Sequence, residues 1–121
     1  MSLEHIERNY HAIKKTIPPH VQLLVVSKTR STLEIQKLYE LGQRDFGENR
    51  VSELKEKSTA LSHLSEIRWH MIGHIQSNKL NQLLTVEHLY SIHSLHGPRL
   101  AKLLADKQLT SELGVYIEDI S

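Results

Sequence analysis

The chain has 121 residues, enough for one domain with a core of its own and too few for two of ordinary size. Fifteen Lys and Arg against 14 Asp and Glu leave a formal charge of +1, so no field points to nucleic acid or an anionic membrane as a partner. The absence of cysteine excludes a disulfide framework and a thiolate metal site, and fits a reducing compartment.

Leu3, Ile6, Tyr10, Ile13 and Ile17 recur at steps of three and four, which predicts an amphipathic helix with Ser2 as its N-cap, ended by Pro18-Pro19. Glu4, Glu7, Arg8, Lys14 and Lys15 interrupt the apolar positions of this stretch, so it holds no signal core or membrane span, and a soluble cytoplasmic protein is expected. Val21 to Val26 is an almost unbroken apolar run, suited to a parallel strand buried on both faces, and Ser27-Lys28 follows at its C-terminal end. Ser31-Thr32-Leu33-Glu34 matches a capping box, and Gly42 stops the helix that carries Leu33, Leu38 and Leu41.

Asp45 to Gly47 reads as a short strand, and Val51, Leu54, Leu61 and Leu64 mark the face of a third helix. Ile67 to Gly73 is a strand by its β-branched and aromatic content, followed by a helix led by Ser77 with Leu80, Leu83 and Leu84. Leu89 to Ile92 gives a fourth strand, Pro98 opens a helix with Leu100, Leu103 and Leu104, and Val115 to Ile120 gives a fifth strand. Strand starts near 21, 45, 67, 89 and 115 follow the step of a strand-helix unit. Handedness allows two closures of such a series, a doubly wound open sheet or an eight-stranded barrel of about 250 residues. Only five strands are present, and an apolar strand close to Ser121 is expected to leave a bare edge.

Three clusters fall after strands and are expected to meet at one mouth: Ser27-Lys28-Thr29, Gly47-Glu48-Asn49, and His70 to His74 with Gln76, Ser77, Asn78 and Lys79. The C-terminal mouth of a parallel sheet is where ligands bind. A lysine there, desolvated by its neighbours, offers a neutral amine that condenses with a carbonyl compound, although lysine at a strand end is most often simply solvated. An amine, an amide, glycines and small hydroxyls suit a planar, phosphorylated aldehyde. Glu48 and Asn49 have the alternative use of capping the next helix. His70 and His74 lie on a strand and its following loop, so the two-histidine metal face of a helix does not apply.

Together Leu24 to Thr29, Gly42 to Asn49 and Ile67 to Lys79 resemble the pyridoxal phosphate homeostasis proteins, single-domain relatives of the alanine racemase N-terminal barrel. The similarity runs on through Ile92-His93-Ser94 to the last strand. It implies an α/β fold of the (β/α)8 TIM-barrel type, here a partial barrel of about five parallel strands with an N-terminal helix, residues 1–121 forming one partial domain. It implies that Lys28 forms an internal aldimine with pyridoxal 5′-phosphate, that Asn49 lies near the cofactor ring, and that Met71, Ile72 and Gly73 line the wall from the third strand. The resemblance further implies intracellular buffering or delivery of the cofactor without established catalysis. Apoenzymes that use the cofactor are the implied partners, and an oligomer is expected if a second chain completes the half barrel. A cofactor-dependent enzyme such as an amino-acid racemase, and a truncated piece that binds no cofactor, stand as alternatives. Only the N-terminal half of the family pattern is covered, and barrels hold phosphate after strands seven and eight, in the other half.

Overall fold

The computed structural model describes residues 3–93 and the backbone of residues 115–117. Its elements run α1 (Leu3–Thr16), β1 (Leu23–Val26), α2 (Thr32–Glu40), β2 (Asp45–Glu48), α3 (Val51–Ala60), β3 (Arg68–Met71), α4 (Leu80–Leu83), β4 (Leu89–Ile92) and β5 (Val115–Ile117). Every expected element inside the described residues is found. Ser2, the helix after Pro98 and residues 118–120 of the last expected strand lie outside them.

Local chemistry accounts for the boundaries. At α2 the Ser31 hydroxyl accepts from the Glu34 amide at 3.1 Å while Glu34 accepts from the Ser31 amide at 2.9 Å, so both halves of the capping box form. Gly42 follows the helix with φ +110°, a backbone only glycine adopts freely. Strands β1 and β3 are trimmed relative to the runs Val21 to Val26 and Ile67 to Gly73, and two helices are shorter than the sequence pattern. Helix α3 ends at Ala60, where the Ser58 and Thr59 hydroxyls both bond the Lys55 carbonyl, and Leu61 and Leu64 enter the core from the turn beyond. The helix expected from Ser77 is a single 3-10 turn (Ser77–Lys79) leading into the four-residue α4, with the Thr85 hydroxyl bonded back to the Gln82 carbonyl.

All strand pairs are parallel, in the order β4-β3-β2-β1-β5. One continuous core holds Ile6 and Tyr10 of α1, Ile35 and Leu38 of α2, Val51 and Leu54 of α3 and Leu83 of α4, together with Val25, Phe46, Trp69, Met71 and Ile92 of the sheet. The four helices therefore share one face of the sheet. A doubly wound sheet needs helices on both faces; with the described helices on one side only, the sequential strands form a partial (β/α)8-type barrel. Strand β5 pairs with β1 and not with β4, at the flank where a barrel closes. Tyr10 and Gln43 lock the N-terminal end: the Tyr10 hydroxyl donates to Gln43 at 2.8 Å, and the Gln43 amide donates to the carbonyls of Leu23 and Asp45 at 2.8 and 2.7 Å.

Candidate functional site

Strand alternation sends Val25, Phe46 and Trp69 toward the helices and turns Leu24, Gly47 and Ile72 to the inner face. On that face Gly47 makes room: a Cβ there would lie 2.7 Å from Leu24 Cδ2 and 3.0 Å from Ile72 Cδ1. Gly73 serves a different end. A Cβ there would meet the Asn49 carbonyl oxygen at 2.1 Å, so the β2 and β3 exits can touch only because residue 73 has no side chain. Asn49 and Gly73 are thus brought together at the mouth, with Ile72 beside them. Met71 is fully buried in the core beneath the helices, facing away from Ile72, and its backbone carbonyl is taken up by the bond from the His93 amide at 2.9 Å that joins β3 to the end of β4.

Lys28 stands two residues past β1, partly exposed, and among the described residues its amine makes no hydrogen bond or ion pair. Ser27 before it is buried and fully bonded. Its amide donates to the Gly47 carbonyl at 2.9 Å, its hydroxyl donates to Gly47 and to Glu48, and its carbonyl accepts from Lys57 Nζ of α3 at 2.6 Å. Glu48 is wholly buried on the helix side of β2, where Lys57 Nζ reaches it at 3.0 Å; burial pushes its carboxyl pKa up against the pull of Ser27 and Lys57. Neither Glu48 nor Asn49 caps α3, whose N-cap is Arg50 without a side-chain bond. A cleft of about 370 Å³ opens beside the mouth, walled by Asn49, Arg50, Ser52, His74, Gln76 and Lys79; Lys28 is not on its wall.

A second polar group crosses the inner face from the start of β2 to the end of β4. Asp45 takes a two-pronged bond from Arg68, with Nε and Nη2 each at 2.8 Å, and His70 Nε2 lies 2.9 Å from the same carboxylate. His70 Nδ1 meets Ser91 Oγ at 2.5 Å, and Ser91 meets His93 Nε2 at 2.7 Å. Burial alone would raise the Asp45 pKa, but the bonds from Arg68, His70 and Gln22 outweigh it and hold the carboxyl well below its usual range. Burial, and then the neighbouring His70, push His93 down to about 4. His70 is therefore a strand residue bound into this seam, not part of the mouth. The sequence pattern missed both the seam and Lys57. The available signal was an aspartate inside a buried strand, which demands a partner.

Chemically, a primary amine past β1, without a hydrogen bond or ion pair among the described residues, and a separate cleft walled by Asn49 and the cations Arg50 and Lys79 suit a small anionic carbonyl compound. That donor set fits pyridoxal phosphate at its aldehyde end.

No protein-family model matches the chain. It is 40% identical over 92 residues to the pyridoxal phosphate homeostasis protein of Synechocystis, covering 76% of this chain and 41% of that protein. Against the protein of the same name from Helicobacter pylori, identity is 46% over 81 residues, covering 67% of this chain and 36% of that one. Among solved structures it resembles PipY of Synechococcus elongatus with pyridoxal phosphate bound, at a TM-score of 0.72 and 38% identity, covering 84% of this chain and 47% of PipY. The chain spans less than half the length of each of these three relatives, a share that fits their N-terminal half.

Proposed function

Because this chain is related to the pyridoxal phosphate homeostasis proteins, we propose that it binds pyridoxal 5′-phosphate through Lys28 and serves in holding or delivering that cofactor in the cytoplasm. The observation that carries the reading is the Lys28 amine, which has no partner among the described residues and sits at the strand mouth. When bound, the cofactor supplies an aldehyde carbon that condenses with a primary amine. Lys28 provides the amine. Asn49, seated on Gly73, offers its amide to the ring, and Ile72 with Leu24 supplies an apolar wall. Met71 is left out of the wall, since its side chain belongs to the core. The relatives' name, homeostasis protein, supports holding the cofactor over turnover of a substrate; cofactor-requiring apoenzymes as receivers and a second chain as the completing half are part of the proposal.

The test is a titration of the 121-residue chain with pyridoxal 5′-phosphate, followed by borohydride reduction and peptide mapping. A visible absorption band with the reduced adduct confined to Lys28, both lost in Lys28→Ala, is the expected result. Adducts scattered over many lysines would overturn the reading.

A further inference from the structure

Thr29, the residue after Lys28, has φ +63°, a left-handed backbone that β-branched residues rarely adopt. Such a conformation persists only where its surroundings impose it. Here the Thr29 amide donates to Glu53 Oε2 at 2.9 Å, and the Thr29 hydroxyl turns back to the Lys28 carbonyl at 2.5 Å. The same Glu53 oxygen lies 2.7 Å from Lys57 Nζ. Lys57 Nζ also holds the Ser27 carbonyl at 2.6 Å and Glu48 at 3.0 Å. One buried ammonium on α3 thus ties together the residue before Lys28 and, through Glu53, the residue after it. Both anchors belong to α3, which is rigidly packed through Val51 and Leu54 in the core.

We propose that Glu53, Lys57 and Glu48 are positioning residues, a clamp that forces the strained turn at Thr29 and thereby aims the Lys28 amine out of the strand mouth. The inference rests on the reading of Lys28 as the cofactor-binding amine. Burial raises the Glu53 pKa, but the bonds from Lys57 and Thr29 outweigh it and lower it overall, which keeps the clamp's outer oxygen anionic at neutral pH. Strain maintained beside an amine that has no partner among the described residues, by charges anchored on α3, is an arrangement that stability alone does not require.

The test compares Glu53→Gln and Thr29→Gly with the unaltered 121-residue chain, using Glu56→Gln, an exposed change on the same helix, as the control. Three quantities are read: Thr29 amide exchange, acetylation of Lys28 by acetic anhydride without cofactor, and the share of borohydride-trapped pyridoxal phosphate on Lys28. Glu53→Gln is expected to speed Thr29 exchange about tenfold, the loss of one charge-assisted bond. Both variants are expected to change Lys28 acetylation and to cut its trapping preference several-fold. Thr29→Gly should do so while keeping or raising the thermal midpoint, because it relieves strain; a merely structural turn would leave Lys28 chemistry alone. Unchanged acetylation in both variants would overturn the clamp whatever the cofactor does. If the unaltered chain scatters the cofactor while acetylation responds, the cofactor reading fails and the clamp stands.

Discussion

Replacing Gly73 by alanine tests the contact that closes the mouth. The added Cβ would lie 2.1 Å from the Asn49 carbonyl oxygen and 2.8 Å from its carbonyl carbon and Cα. Ordinary carbon–oxygen contacts are about 3.3 Å or more, so the two backbones must part by about 1 Å. No flexible side-chain end is available to yield. The movement strains the Ile72 amide bond to the Glu48 carbonyl, now 3.0 Å. One extra carbon in a filled site costs about 1–3 kcal/mol, and weakening one backbone bond adds about 1 kcal/mol. Gly73 is not in the left-handed region, so no conformational penalty enters, and alanine recovers up to about 1 kcal/mol by stiffening the unfolded chain. The net expected loss is about 1–4 kcal/mol, or roughly 5–20 °C in thermal midpoint for a chain of this size. Urea denaturation followed by the fluorescence of Trp69, the single tryptophan and fully buried, reads it directly. Gly47→Ala is the internal comparison. Its Cβ meets only the ends of the Leu24 and Ile72 side chains, which can change rotamer for under about 1.5 kcal/mol. Equal losses for the two variants would refute the reasoning.

Other consequences can be checked in the same assay. Ser31→Ala removes the capping box of α2 and is expected to cost about 1 kcal/mol, with no change in the slope of the denaturation curve. Lys57→Met leaves Glu48 buried without its cation and is expected to lose about 3 kcal/mol; a neutral result would show that Glu48 is neutral in the fold and that the pair contributes nothing. Acid should weaken the fold in two steps. The folded His93 pKa is depressed to about 4 from 6.5, so its contribution is complete above 6.5 and declines as pH falls through that window, a decline that His93→Gln should remove. The Asp45 pKa is depressed below its ordinary 3.8, so its contribution is present above that value and disappears only at still lower pH; Asp45→Asn should abolish the second step.

Much of the fold can be read along the chain because its signals are local. The apolar run before Ser27, the Ser31–Glu34 box, the stop at Gly42 and the 3-4 spacing of Ile6, Tyr10 and Ile13 each depend on residues within a turn or strand of one another. The same pattern places Lys28 past a strand, and Gly47 and Gly73 near strand exits. By itself, then, the sequence determined the order of the described elements and singled out Lys28 as the amine of the proposed site. It did not place Met71, since an apolar residue after a strand reads the same whether it faces the core or the mouth, and only the stacked sheet and helices put it with Trp69 and Ile92. Nor did it reveal Lys57, which lies 30 positions from the Ser27 carbonyl it binds, or the seam from Asp45 to His93. The flank taken by β5 was equally hidden. Only the tertiary structure decided these, because a buried charge or an open strand edge is satisfied by whatever packing brings to it, and packing joins residues with no regard for their separation along the chain.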